Sequence, residues 1–278
     1  MGQISYLRRL ACAGAFGSLV LSSTPAPATP RAQPFSYPHA TLFKGELELE
    51  QFVDLIPMRV PREDADGTRA VTALRSELQT EFEYGLSDQL ELGFYLVFRQ
   101  GASATTPALR FQGVKQRLRY RFAAEGDWPI DVGVYGELAE YHNELEFEQK
   151  LLLSRRFGRF TAVSNLWVEQ EYYFQTETWK YVYNPTVAAS YELSPSAIVG
   201  VEYWARGRFD DPGAPSADSS ELDASGTRHY LGPTLMVQGG GHFITLGTYL
   251  RLDHLGDRLA PNDPWGKVWV RILLGVGL

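Results

Sequence analysis

Five histidines, one cysteine and 33 acidic residues are the raw material for chemistry in this chain of 278 residues. A hydrolase whose serine and histidine share one strand face needs them two positions apart, because side chains repeat every second residue along a strand. Two positions after His39, His142, His229, His242 and His254 stand Thr41, Glu144, Leu231, Ile244 and Gly256. An Asp and a His separated by one residue would serve a protease, but Asp253 and His254 are adjacent and would face opposite ways. His142 sits beside Asn143, where a solvated loop residue is the plain reading. No histidine cluster has metal-ligand spacing, so no metal or other cofactor is expected. Cys12 is the only cysteine and lies in an apolar N-terminal run, which excludes thiol chemistry from the rest of the chain. Catalysis is not the expected activity.

Charge offers more. Segment 209–227 carries Asp210, Asp211, Asp218, Glu221 and Asp223. Their spacing matches no calcium loop, and a solvated loop is the simpler reading. Elsewhere charges recur at even spacing: Glu46, Glu48 and Glu50; Glu77, Glu81 and Glu83; Lys115, Arg117, Arg119 and Arg121; Glu146, Glu148 and Lys150. Arg251, Lys267 and Arg271 add to them. Such spacing puts charge on one wall of a strand, so these residues are the candidate lining of a lumen. They either stabilise a salt-bridged interior or form acidic and basic tracks through a narrow pore. If the hairpin after Phe122 pairs without a bulge, Arg121 faces Asp131 and Lys115 faces Glu137. Arg117 then meets Tyr135 and Arg119 meets Gly133, which leaves both without an acid on that strand and open to an anion.

The elements that must position these residues are strands. From Lys44 to Leu278 apolar and polar residues alternate in twelve segments. They cover roughly 44–60, 68–84, 89–99, 109–122, 129–142, 144–157, 160–174, 179–193, 197–208, 228–238, 242–253 and 266–278. In the third, Leu90, Leu92, Phe94, Leu96 and Phe98 oppose Glu91, Gly93, Tyr95 and Arg99. The connections alternate between tight turns, such as Gly158-Arg159, and long links, such as 209–227. Aromatics gather at both ends of the oily face, among them Phe82, Tyr84, Phe122, Phe157, Trp179 and Tyr181. This pattern predicts an all-β fold: a transmembrane, antiparallel, up-and-down barrel of about twelve strands over residues 44–278. A soluble sandwich or lipocalin-like barrel shares the alternation but not the alternating loop lengths or the aromatic girdles. Pro185 and Pro233 fall inside strands and predict a bulge or break at each. Gly93, Gly133 and Gly275 fall on the inward face, where they make room for inward aromatics such as Tyr95, Trp204 and Trp269.

The N-terminus reads as an export signal. Arg8 and Arg9 precede the apolar run Leu10 to Leu21, and Ala26 and Ala28 form an A-x-A site, with Ala32 as an alternative. The expected organisation is a signal peptide at 1–32, a short periplasmic segment at 33–43, and the barrel. Loss of residues 1–32 removes Arg8, Arg9 and Arg31 and no acid, leaving 23 basic against 33 acidic residues and a net charge of -10. Nucleic acid is therefore not an expected partner. The expected partners are outer-membrane lipid, lipopolysaccharide, the outer-membrane assembly machinery and a small solute that the sequence does not name.

Two hairpins carry a family resemblance. EYGLSDQLELGFYL (Glu83 to Leu96) and GVKQRLRYRF (Gly113 to Phe122), with VYGELAE (Val134 to Glu140) on the next strand, resemble a Gram-negative barrel group. This is the group named for a phenol-degradation pathway (MetA-type) and often labelled a transporter. The resemblance covers most of residues 44–278 and implies a porin-like outer-membrane fold with no established substrate. At the C-terminus Leu278 stands where the usual assembly signal has Phe. The expected function is passive passage of small solutes across the outer membrane. A non-conducting structural or adhesive barrel acting through its external loops is second, and an outer-membrane enzyme third.

Overall fold

The computed structural model describes residues 29–65, 67–103, 108–209, 226–253, 255–256, 259, 263 and 265–278. Thirteen strands follow one another: β1 (Leu47–Asp64), β2 (Gly67–Gly85), β3 (Leu90–Gln100), β4 (Arg110–Arg121), β5 (Asp131–Tyr141), β6 (Glu144–Phe157) and β7 (Phe160–Tyr173). Then come β8 (Thr178–Tyr183), β9 (Thr186–Ser194), β10 (Ala197–Arg208), β11 (Arg228–Gly239), β12 (His242–Arg251) and β13 (Val268–Gly277). β8 and β9 are two halves of one barrel strand, since each pairs with both β7 and β10. The result is a closed antiparallel barrel of twelve strands, sealed where β1 meets β13. Closure leaves no strand edge to be satisfied by water, which is what a bilayer requires.

The break expected at Pro185 lies between the two halves. Proline has no N–H to give to a ladder. Its neighbours keep the wall continuous, with Asn184 N–H donating to the Trp167 carbonyl and Ala205 N–H to the Pro185 carbonyl. Pro233 acts more mildly. The β11–β12 ladder lapses between Leu231↔Leu250 and Thr234↔Gly247 and resumes in the same register.

Alternation sets the two faces. Leu92, Phe94, Leu118, Leu166, Val201 and Leu246 point outward and are exposed, whereas Glu91, Tyr95, Arg117 and Arg119 are buried inside. An apolar exterior of this extent is costly in water and suited to lipid. Phe82, Tyr84, Phe157, Phe160 and Tyr191 are exposed near the tight turns, and Phe174, Trp179 and Tyr181 near the other end. These are the two aromatic girdles of an outer-membrane barrel. The turn between β11 and β12 is Gly240-Gly241, both at positive φ, as a two-residue hairpin of matching twist needs.

The β4–β5 register differs from the expected one. Arg117 pairs with Glu137, Arg119 with Tyr135, Arg121 with Gly133 and Lys115 with Ala139. The slide is two residues. A two-residue slide keeps every side chain on its face, so alternation alone cannot distinguish the two registers.

Residues 33–43, expected as a short periplasmic segment, run inside the barrel instead, together with residues 29–32. This strap enters β1 through a turn in which Glu46 N–H donates to the Phe43 carbonyl. Phe35, Ser36, Tyr37, His39 and Leu42 are all buried. A buried segment outside any ladder must place its backbone donors elsewhere. Pro30, Pro34 and Pro38 carry no such donor, and side chains of the barrel wall accept from most of the others. Residues 1–28, the rest of the expected signal peptide, lie outside the described residues.

Candidate functional site

The interior divides into a filled half at the tight-turn end and an open half at the long-loop end. The filled half is built from the even-spaced charges. Arg117 on β4 lies 2.9 Å from Glu81, 2.7 Å from Glu83 and 2.5 Å from Glu91. Arg119 is 2.7 Å from the other oxygen of Glu91. The expectation that Arg117 and Arg119 stand free for an anion is therefore overturned. Their acids come from β2 and β3, on the opposite side from β5, and at these distances each cation is neutralised. Gly93 makes room for the Arg117 guanidinium to lie across β3. A Cβ there would lie 2.6 Å from the Arg117 Nε and 2.9 Å from Glu81.

The strap is stitched to this half and to the facing wall. Thr29 N–H donates to Glu48 at 2.7 Å, and Arg31 pairs with Glu50 at 2.9 Å. The Arg31 guanidinium also covers the rings of Tyr37 and Phe52, at 4.1 and 4.9 Å. Phe35 and Ser36 N–H both donate to Glu202 on β10, which also accepts from the Tyr249 hydroxyl. Asn165 on β7 clamps Tyr37, accepting its N–H at 2.7 Å and donating to its carbonyl at 2.8 Å. Leu42 N–H reaches Glu91 at 2.7 Å, which ties the strap to the arginine cluster. Phe35 closes the arrangement by entering an aromatic group in which Trp204 and Tyr230 stack at 4.1 Å.

Above the strap lies a cavity of about 410 Å³ lined by both charge and aromatic surface. Phe35 and Tyr37 form part of its wall, with Trp167 and Trp269. Its charges pair mostly across strands, with Lys150 and Glu148 pairing within β6. Arg271 grips Asp54 through two bonds of 2.7 and 2.6 Å, and Arg99 meets Glu77 at 2.8 Å. Lys115 meets Glu137 at 2.8 Å, and Arg206 meets Glu169 and Glu171 at 2.6 and 2.8 Å. The Lys150 ammonium pairs with Glu148 at 2.6 Å inside a cage of Trp167, Tyr135 and Tyr37 rings, 3.5 to 4.4 Å away.

Of the sixteen lumen candidates, Glu146, Glu148 and Lys150 line the cavity, and the other thirteen separate. Glu48, Glu50, Glu81, Glu83, Arg117 and Arg119 are buried in the filled half. Glu77, Lys115 and Arg271 line the cavity. Arg251 is buried near the long-loop end against Asp253 and Asp263. Burial pushes the Asp253 carboxyl up, but the His229 N–H and the Arg251 guanidinium hold it below its usual value. Glu46 and Arg121 sit at the tight-turn rim, where Arg121 donates to the Asp88 carbonyl and covers Phe43. Lys267 sits at the opposite rim, donating to the Leu255 carbonyl.

Sequence reasoning missed the strap residues, Asn165 and Glu202. Glu91 could have been found, since it shares a face with Gly93, Tyr95 and Arg99. Carboxylates also gather across strands, as Glu137, Glu146 and Glu148 do within 4.8 Å, which no spacing along one strand reveals. A buried His–Ser contact appears as well, His39 Nδ1 to Ser154 Oγ at 2.7 Å, with partners 115 residues apart. The cavity does not reach it, and His39 Nε2 has no hydrogen-bond partner to orient it as a base. The acidic positions of 209–227 lie outside the described residues.

No family profile matches the chain, and no curated protein matches it. Solved structures do. An outer membrane channel from Pseudomonas putida F1 superposes with a TM-score of 0.61 at 9% identity, over 86% of this chain and 98% of that one. The NanC porin superposes with a TM-score of 0.51 at 8% identity, over 84% of this chain and 98% of that one. At such identity the likeness establishes the fold alone, a closed antiparallel β-barrel of the outer-membrane kind.

Proposed function

We propose that the protein is an outer-membrane channel for passive passage of small solutes, held closed in this structure by the strap at residues 29–43. The observation that carries the reading is the cavity of about 410 Å³, whose lining takes Phe35 and Tyr37 from the strap alongside residues of the barrel wall. Twelve strands enclose more room than side chains alone fill, and here a separate segment fills the remainder. Because the strap takes no part in the ladder, it can leave without opening a strand pair. The cavity lies toward the long-loop end, so a solute would arrive from outside and pass once the strap moves. The paired charges and rings of its wall suit small solutes that carry both polar and aromatic groups. The reading agrees with the resemblance of its hairpins to the phenol-degradation (MetA-type) transporter group.

Planar-bilayer conductance tests this. The mature barrel should show low or intermittent conductance, and a variant that begins at Leu42 should show a larger, steady one. Silence from both, with a folded barrel in each, would leave a non-conducting barrel acting through its external loops.

A further inference from the structure

The first described residue meets an unbalanced buried charge. Glu48, Glu50 and Glu83 bring their carboxylates within 4.8 Å of one another, and all three are buried. Arg31 neutralises Glu50 and Arg117 neutralises Glu83. Glu48 makes no ion pair of its own among the described residues: Arg31 is the nearby cation, and it is already paired with Glu50. Its Oε2 accepts from the Thr29 nitrogen at 2.7 Å, and its Oε1 is buried with no hydrogen-bond partner. A buried carboxylate without its own counter-charge is strongly disfavoured, so a cation should lie within its reach.

The residues just before Thr29 are Ala26, Pro27 and Ala28, an A-x-A cleavage site. We propose that export cleaves the chain between Ala28 and Thr29, and that the new α-ammonium of Thr29 is the buried counter-ion of Glu48. In the cleavage, water adds to the Ala28 carbonyl and the C–N bond breaks. Ala28 departs with a carboxylate, and the Thr29 nitrogen takes the proton as an ammonium. One amide donor thereby becomes three donors with a full positive charge, enough to serve both oxygens of Glu48. Strap closure then depends on processing, because the cation that fixes the strap exists only after the leader is gone.

The alternative cut after Ala32 fails on the same geometry. It would remove Arg31, the partner of Glu50, and Ala32, which packs with Phe52, Tyr95 and Phe243. Glu48 and Glu50 would both be left buried and uncompensated.

Intact mass and N-terminal sequencing of the protein taken from outer membranes should give Thr29 as the first residue. Trypsin cleavage after Arg31 then reports on strap closure in three folded barrels. Relative to the native barrel, Glu48→Gln should be cut roughly tenfold faster, since it removes the ion pair. A refolded chain carrying Gly-Ser ahead of Thr29 should be cut faster to a similar degree, because two residues displace the ammonium by about 7 Å. That chain keeps the test open if Glu48→Gln does not fold. A mature chain starting at Gln33 overturns the proposal. So does equal cleavage after Arg31 in the native and the extended barrels.

Discussion

The Arg117 guanidinium and the Glu91 carboxylate meet at 2.5 Å across the β3–β4 ladder, and neither side chain is exposed. The same guanidinium also holds Glu81 and Glu83, so three carboxylates share this cation, and only Glu91 has a second partner, in Arg119, among the pairs described. Removing one partner of a buried network leaves uncompensated charge, at a cost of about 3–5 kcal/mol. Arg117→Ser should lower the urea midpoint of the heat-modifiable barrel accordingly. Arg121→Ser, at the rim, should change it by less than about 1 kcal/mol. Equal midpoints for the two variants would show that the interior is wet and the cluster unimportant.

Asn165 holds the strap by both backbone groups of Tyr37. Asn165→Ala leaves a buried N–H and a buried carbonyl unpaired, and each costs about 1–3 kcal/mol. The barrel ladder is untouched, so heat modifiability should persist. Strap closure should weaken, and steady conductance should appear in the full mature chain. Unchanged conductance with an intact barrel would mean that the strap does not gate it.

Gly275 on β13 faces the Phe243 ring so closely that a Cβ would lie 2.0 Å from it. Phe243 packs with Phe52, Tyr95 and Leu273 under the strap, so it has little room to retreat. Gly275→Ala should cost about 1–3 kcal/mol by overpacking. Gly275→Ala with Phe243→Leu should recover most of it. If the double variant is no more stable than the single one, the ring is not the obstacle.

What the sequence made legible was the period. Alternation in residues such as Leu92, Gly93 and Phe94 places the wall, and Pro185 marks the strand that divides into β8 and β9. Charges at even spacing were assigned to the interior for the same reason. Their partners were not legible, because a slide of two residues moves Arg117 from Tyr135 to Glu137 without changing any face. The strap was hidden for a different reason. TPRAQPFSYPHATLF has neither period, and it falls across the expected signal peptide and the short periplasmic segment at 33–43. Its contacts are made by residues such as Asn165 and Glu202, 128 and 167 positions away, so only the closed barrel brings them together.

His39 gives the strap a pH dependence of known sign. Burial lowers its pKa from the ordinary 6.5, with Arg121 and Arg119 acting in the same direction and Asp131 and Glu125 against it. The neutral ring is therefore the form that fits beside Ser154. A strap displaced into water regains the ordinary pKa and takes up a proton that the seated strap refuses. Closure is thus fully stable above pH 6.5 and weakens as pH falls below it. The loss approaches about 1.4 kcal/mol per pH unit until the seated pKa is reached. Conductance of the mature barrel should rise on acidification from neutral pH toward 5. His39→Gln keeps a hydrogen-bonding side chain but cannot titrate, so the part of the rise due to His39 should vanish in it. An identical acid response in both proteins would assign the effect to the lumen carboxylates, and a fall in conductance would reverse the sign argued for the strap.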